Sequence, residues 1–241
     1  MKDIMAIFNE YAKKFDLTID PIMRKFHHSY RVYEYGKDIA KSLDLSEHDI
    51  YIVSIACLFH DVSRFLQWTL YNTYEDAKSF DHGDKSYEIL KDELIDKMNL
   101  SDEDKNIVLK AVRIHNKYQI EGELTDKELV ACKIVRDADK IDIMKEQGIV
   151  KEEGKVKKEI VDTLMQHKMV PNNMTLDGSE IDATLRLLAF AFDVNYKYSF
   201  QLILDNKIIE NKINMLEIYS HEDLSELQNS MIDYIKERIE C

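Results

Sequence analysis

Residues that interrupt helices are unusually rare in this chain. Only 2 prolines and 6 glycines occur in 241 residues, so few positions force a turn, break a helix or relax the backbone. A β architecture built from many short strands needs frequent turn residues, whereas long helices do not. The sequence therefore predicts an all-α protein.

Capping patterns indicate where several helices begin. Ser46, Ser101 and Thr125 each stand three residues before a carboxylate and just before an apolar-periodic segment, which is typical of helix N-termini. The connection over residues 65–82 lacks clear periodicity, and we interpret it either as a binding or lid element or as a surface loop. The predicted helices lie near residues 3–15, 22–44, 47–60, 83–98, 102–117, 126–145, 155–167, 178–204, 207–219 and 221–239.

At 241 residues the chain is long enough for one generous domain over residues 1–241 with a substantial apolar core. We expect a core over about 22–150 and a C-terminal helical extension over about 151–241. The mixed-charge segment around Gly154 is the predicted seam between them. Residues 185–204 are strongly apolar and either complete the core or form a dimer contact, so a homodimer is one expectation.

The balance of charges limits the partners. With 33 basic and 46 acidic residues, the formal charge is −13, and the average field repels polyanions. No basic stripe with interleaved aromatics is present, so we expect no nucleic-acid polymer as a partner. A small anionic substrate is still compatible with this charge, because a bound cation dominates the local potential.

Cysteine usage and hydropathy predict the compartment. Cys57, Cys132 and Cys241 form an odd, widely spaced set without a CxxC pair, which fits a reducing environment. The N-terminal segment carries acidic residues where a signal peptide needs a continuous apolar run, and no apolar run is long enough to span a membrane. We therefore expect a cytoplasmic protein that does not contact the membrane.

Several histidines are predicted to point inward. His28 is in line with the apolar stripe of its helix, and His60 ends an apolar helix in line with the residues behind it and is followed directly by Asp61. His115 ends another apolar stripe, and His82 opens the helix after the long connection. A lone inward histidine is more often a hydrogen-bonded core residue than a ligand, so it is the set that suggests a site.

Two carboxylates on the later segment "KIVRDADKIDIM" also need an explanation. This segment is apolar on more than one face, so periodicity does not decide between Asp137 and Asp139. Burying an unpartnered ionised carboxylate costs several kcal/mol, and burying several beside inward histidines suggests a cation. A mixed His/Asp set suits Mn²⁺, Fe²⁺, Co²⁺, Ni²⁺ or Zn²⁺ better than Ca²⁺.

This set resembles the histidine-aspartate (HD) domain superfamily of metal-dependent phosphohydrolases. The matching positions are His28 in "HSYRV", His60 and Asp61 in "LFHDVSRF", and Asp139 in "DADKID", in the family order over about residues 24–145. The resemblance implies an HD-domain helical bundle. It also implies that Asp139 is the metal ligand and that Asp137 orients the helix or the ligands.

The resemblance extends to a second pair of histidines. Superfamily members with two further histidines between the doublet and the last aspartate tend to hold two metals, and His82 and His115 lie in those positions. It therefore implies a two-metal centre, which we prefer to a single ion. Asp61 would bridge the ions, since adjacent helical residues diverge by about 100° and His60 can serve one ion alone.

The resemblance also implies a substrate and its contacts. It implies hydrolysis of a phosphate ester or anhydride in a nucleotide or another small phosphorylated metabolite. Arg64 is either a phosphate contact or a salt-bridge partner, and the same alternatives hold for Lys140; both are candidate catalytic residues beside Asp61. Many relatives have glycine where this chain has Ser63, which changes little. Three aromatic residues of the connection over residues 65–82 either stack a base or anchor the loop: Trp68, Tyr71 and Tyr74.

Two other functions stay open. Some superfamily members with two irons are oxygenases, and His82 and His115 do not distinguish them from hydrolases. The third hypothesis is a catalytically silent module that binds metal or a ligand. Iron-dependent consumption of oxygen would favour the former, and bound metal without turnover would favour the latter.

Overall fold

The computed structural model describes residues 3–171, 174 and 178–240, and its secondary structure over these residues is helical, without strands. The all-α prediction is confirmed. The chain divides into two compact units, Met1–Ala138 and Asp139–Cys241, and the division falls within one continuous helix. The predicted single domain, with its seam near Gly154, stays a prediction.

The first unit begins with three helices that enclose a buried centre. Helix α3 (Glu47–Phe59) presents eight consecutive buried residues, from Ile52 to Phe59. It is covered on all sides, mainly by α2 (Asp20–Ser42) and α6 (Asp102–Ile114). A glycine allows the approach of α2, because a Cβ atom on Gly36 would lie 2.2 Å from the Sγ atom of Cys57. The helices of this unit are α1 (Ile4–Ala12), α2 (Asp20–Ser42), α3 (Glu47–Phe59), α4 (Arg64–Tyr71), α5 (His82–Ile89), α6 (Asp102–Ile114) and the first part of α7 (Asp126–Glu146).

The predicted capping positions of this unit are confirmed. At the start of α3, the Ser46 hydroxyl accepts a hydrogen bond from the backbone N–H of Asp49. At the start of α6, the Ser101 hydroxyl accepts one from the backbone N–H of Asp104. Before α7, the Thr125 N–H donates to the Glu128 carboxylate, and the Glu128 N–H donates to the Thr125 hydroxyl. This reciprocal pair satisfies two backbone donors that a helix start leaves unpaired.

The connection between the doublet and α5 is more ordered than its sequence indicates. Helix α4 occupies residues Arg64–Tyr71, and Asn72 ends it in the left-handed conformation. A short 3₁₀ turn follows at Asp76–Lys78. The prediction of a loop over residues 65–82 was wrong for α4. The start of this helix has no side-chain cap, so no capping pattern marked it, and burial of Phe65 and Gln67 stabilises it instead.

The second unit is also helical. The prediction of a single helix over residues 178–204 is wrong: the segment is divided into α9 (Glu180–Leu188), a 3₁₀ segment at Ala189–Asp193 and α10 (Lys197–Asp205). Asp193 and Asn195 stand at the break, and such short polar side chains compete for backbone hydrogen bonds. The remaining helices are α8 (Lys158–Met165), α9 (Glu180–Leu188), α10 (Lys197–Asp205), α11 (Ile208–Ser220) and α12 (Ser225–Glu240).

Two findings bear on the compartment. In the described part of the chain, no helix is both long and apolar enough to cross a membrane. Cys57 and Cys132 are buried and form no disulfide within the described part of the chain, and Cys241 lies outside the described residues. A cytoplasmic location stays a prediction.

Candidate metal centre

The histidine-aspartate doublet lies where α3 ends. His60 and Asp61 are both buried. The Nδ1 atom of His60 lies 2.8 Å from the carbonyl oxygen of Cys57, one of the orphan carbonyls at a helix C-terminus. A carbonyl only accepts, so Nδ1 carries the proton and Nε2 is left with its lone pair. The chain then turns into α4, as the Arg64 N–H donates to the Asp61 carbonyl.

His28 reaches the same point from α2. Its Nε2 atom lies 3.1 Å from Nε2 of His60 and 3.5 Å from the Oδ2 atom of Asp61. His60 Nε2 lies 3.6 Å from that same oxygen. The predicted inward direction of His28 is therefore confirmed, and two imidazoles share one carboxylate oxygen.

His115 approaches the other carboxylate oxygen from the end of α6. Its Nδ1 atom lies 2.7 Å from the carbonyl of Val112, which fixes the same tautomer as in His60. Its Nε2 atom lies 3.5 Å from Oδ1 of Asp61. The following loop is fastened by Arg136, whose guanidinium donates to the carbonyls of His115 and Lys117 at 3.2 and 2.5 Å.

His82 approaches Oδ1 as the first residue of α5. Its Nε2 atom lies 3.7 Å from Oδ1 of Asp61, and its Nδ1 atom lies 2.6 Å from Oδ2 of Asp76. Four imidazoles thus surround one carboxylate, two facing each oxygen. The ring centroids of His60 and His115, and those of His82 and His115, are each 4.9 Å apart.

This donor set fits a cation by two tests. First, Oδ1 of Asp61 and Nε2 of His115 are buried and have no hydrogen-bond partner among the described residues, although such atoms are normally satisfied. Second, His60, His82 and His115 each engage Nδ1 with an acceptor and turn Nε2 toward Asp61, which is the usual arrangement of metal-ligating histidines.

Two groups of ligand atoms are compact enough to hold an ion. One consists of His60, Asp61 and His115, whose ligand atoms lie within 4.8 Å of one another. The other joins His28 and His60 to Asp139 within the same limit; Asp139 is the next residue after Ala138 along the continuous helix α7. Among the described residues, Asp137 belongs to neither group.

Charged neighbours keep the central carboxylate ionised. Burial opposes the charged form of Asp61, but the positive charges of Lys25 and Arg64 outweigh it and hold the pKa of this carboxyl well below its usual range. Burial and the nearby Arg64 guanidinium lower the pKa of His82 to about 4. At neutral pH the His82 ring is therefore uncharged, as a metal ligand must be.

Arg64 is held in a fixed orientation. Its Nη1 atom donates to Gln67 at 2.6 Å, to the Tyr74 carbonyl at 2.8 Å and to Asp76 at 3.1 Å. Its buried Nε atom faces Oδ1 of Asp61 at 3.5 Å and has no hydrogen-bond partner in the described residues. Of the two roles predicted for Arg64, the salt bridge is observed, and the phosphate contact stays a prediction.

The other predicted contacts are mainly structural in this state. Lys140 forms an ion pair of 2.8 Å with Asp193, and its predicted phosphate contact stays a prediction. The Ser63 hydroxyl donates to the His82 carbonyl at 2.9 Å, so it ties the doublet turn to α5. The aromatic residues pack within the connection, with Trp68 against Tyr74 and Tyr71 against Phe80. Stacking of a base stays a prediction.

Sequence reasoning missed two charged residues of the centre. The Lys25 ammonium lies 2.6 Å from Oδ2 of Asp61; its position three residues before His28 on the same helix face was an available signal. Asp76 holds both His82 and Arg64. Asp76 comes from an aperiodic segment, so no sequence pattern indicated it.

Comparison with family models finds a match to the HD domain over residues 26–144. Comparison with curated proteins and with solved structures gives no match. The matched segment contains every side chain predicted to bind metal, namely His28, His60, Asp61, His82, His115 and Asp139.

Proposed function

The chain belongs to the HD-domain superfamily, and from this premise we propose that it is a metal-dependent phosphohydrolase whose histidines and aspartates around Asp61 would hold two divalent ions. The observation that carries the proposal is that each oxygen of the Asp61 carboxylate faces a different pair of histidines. Oδ2 faces the Nε2 atoms of His28 and His60, whereas Oδ1 faces those of His82 and His115. A single ion would leave one pair of imidazoles unused.

The proposed ligands divide into two subsites. The first subsite consists of His28, His60 and Asp139, and the second of His82 and His115, with Asp61 shared. When bound, the ions would supply Lewis-acid activation of a phosphoryl oxygen and of the attacking water. The ions are of the late divalent series from Mn²⁺ to Zn²⁺, because imidazole and carboxylate are mixed.

Side chains beside the subsites would act on the substrate. The Arg64 guanidinium presents Nε toward the centre while Nη1 is held by three acceptors, so it is pre-oriented for a phosphate oxygen. The Lys25 ammonium lies on the opposite edge of the Asp61 carboxylate and neutralises charge on a second oxygen. Both side chains are largely buried, each 12% exposed, which strengthens their attraction for an anion.

The proposed substrate is a small phosphorylated metabolite, with a nucleotide as the first candidate. The chain's charge of −13 disfavours a long polyanion, and the aromatic residues of the connection are near enough to Arg64 to contact a base: its Cζ atom lies 5.5 Å from the Tyr74 ring centroid. We also propose that Lys140 contacts the substrate phosphate. A cytoplasmic location and a homodimer are further parts of the proposal.

The test combines elemental analysis of the purified protein with phosphate release from nucleoside mono-, di- and triphosphates and dinucleotides. We expect close to two equivalents of metal and release of phosphate from at least one substrate. Asp61→Asn and His60→Ala should lose both metal and activity. The control is His27→Ala, an exposed histidine adjacent to His28 on α2, which should keep both.

Three outcomes would overturn the proposal. If Asp61→Asn retains the metal and activity of the parent, the site is misplaced. If the bound metal is iron and turnover requires oxygen rather than releasing phosphate, the protein is an oxygenase. If the metal is present and no substrate in the panel is consumed, the silent binding module is the better account.

A further inference from the structure

Asp76 has an unusual number of contacts for a residue in a connecting segment. Its Oδ2 atom lies 2.6 Å from Nδ1 of His82 and accepts from the His82 backbone N–H at 3.3 Å. Its Oδ1 atom accepts from Nη1 of Arg64 and from Nε2 of Gln67, each at 3.1 Å. One carboxylate therefore binds a proposed metal ligand and a proposed phosphate contact together.

The contact to His82 decides where that ring carries its proton. An ionised carboxylate only accepts hydrogen bonds. A separation of 2.6 Å from Nδ1 therefore requires the proton on Nδ1, which leaves the lone pair of Nε2 toward Oδ1 of Asp61. Only this tautomer can offer Nε2 to a cation.

His82 needs an external acceptor because of its place in a helix. His60 and His115 follow the last residues of α3 and α6, where the carbonyls three residues earlier are free to accept from Nδ1. His82 is the first residue of α5, and a helix N-terminus exposes N–H donors rather than carbonyls. A carboxylate from another segment does for His82 what the backbone does for the other two rings.

The side-chain amide of Asn116 is a second potential hydrogen-bond partner for Nδ1 of His82. Nδ2 of Asn116 lies 3.3 Å from Nδ1 of His82, but it also donates to Asp81 at 3.0 Å. Without the Asp76 carboxylate, this amide is placed to donate to Nδ1. The ring would then take the proton on Nε2 and lose its ligand atom.

We propose that Asp76 is a positioning residue, which holds His82 as the Nδ1–H tautomer and so makes the second metal subsite competent. This inference rests on the proposed two-ion function. It assigns the connection a role in metal binding, beyond the lid or surface loop that its sequence suggested.

The experiment compares Asp76→Asn with the parent protein in two measurements. In the metal-free protein, ¹⁵N–¹H correlation spectra of the imidazoles report which nitrogen of His82 carries the proton. In a second measurement, titration with Mn²⁺ reports the number of ions bound and the affinity of each. Asp81→Asn is the matched control, because Asp81 accepts from the same Asn116 amide and from the Asp84 N–H but not from the His82 ring.

We expect the Nδ1–H form in the parent and in Asp81→Asn. In Asp76→Asn the donors Arg64 and Gln67 hold the amide oxygen on their side, so the amide NH2 group faces Nδ1 of His82 and we expect the Nε2–H form. The variant should bind one ion with parental affinity and the other about 10- to 100-fold more weakly, the usual effect of losing a hydrogen-bond partner of a metal ligand. A parent protein with the proton on Nε2 would overturn the inference even if the variant failed to fold.

The two proposals fail in different ways. If the parent shows the Nδ1–H tautomer but binds no metal, the positioning role toward a metal is overturned together with the two-ion function. If the parent binds two ions and Asp76→Asn binds both with unchanged affinity, only the role of Asp76 is overturned.

Discussion

Replacing Lys25 by methionine should destabilise the metal-free protein and strengthen its binding of metal. Lys25 and Asp61 form a buried ion pair of 2.6 Å, with side chains 12% and 3% exposed. Removing one partner of a buried pair costs about 3–5 kcal/mol, because the other charge stays buried without compensation. Since Arg64 Nε remains 3.5 Å from Asp61, we expect the lower value, about 3 kcal/mol.

A divalent ion on Asp61 would compensate this buried charge, so the loss should largely disappear in the loaded protein. By linkage, the difference between the two stability losses equals the gain in metal-binding free energy. A difference of about 3 kcal/mol corresponds to roughly 100-fold tighter binding. The KM for a phosphorylated substrate should rise at the same time, because a phosphate contact is lost.

Urea unfolding with and without Mn²⁺ and calorimetric titration with Mn²⁺ would measure these effects. The matched control is Lys41→Met on the same helix, whose pair with Asp38 is about half exposed on both sides and is worth at most about 1 kcal/mol. If Lys25→Met weakened metal binding, or destabilised the metal-free and loaded forms equally, the assigned balance of charges around Asp61 would be wrong.

Other substitutions test the packing and the supports of the centre. Gly36→Ala should destabilise the protein by about 1–3 kcal/mol through overpacking, because its Cβ would lie 2.2 Å from the sulfur of Cys57; urea unfolding should show rescue by Cys57→Ala, and no rescue would contradict this. Ser101→Ala should lose about 1 kcal/mol with the α6 cap, and unchanged stability would argue against that cap. Arg136→Gln should weaken metal binding through His115, whose carbonyl it anchors; calorimetry with unchanged affinity would refute that link.

Helix starts were predictable because their determinants are local. Ser46, Ser101 and Thr125 cap the helices they precede, and each interaction spans three residues. The direction of His28 was predictable for the same reason, since a helix repeats its faces every three or four residues. The break within residues 178–204 was not, because apolar residues on several faces hide the periodicity.

Parts of the centre were predictable to different degrees. The resemblance indicated the six proposed ligands. The structure brings five of them, all but His82, into two compact groups, and Nε2 of His82 lies 3.7 Å from Oδ1 of Asp61. Lys25 was within reach of the same helical reasoning, because it lies one turn before His28. Arg64 was noticed, but its three acceptors on Nη1 depend on how the connection folds back, which no short-range pattern encodes.

The histidines show why short-range sequence patterns predict some features of the centre and not others. A ligand at a helix C-terminus finds its acceptor in a carbonyl three residues earlier, as His60 and His115 do, so its tautomer follows from its place in the sequence. A ligand at a helix N-terminus has no such carbonyl and depends on a side chain from elsewhere. His82 obtains Asp76 only because α4 and the following turn return to α5. Sequence patterns therefore indicate the ligands, whereas the tautomer of His82 requires the fold.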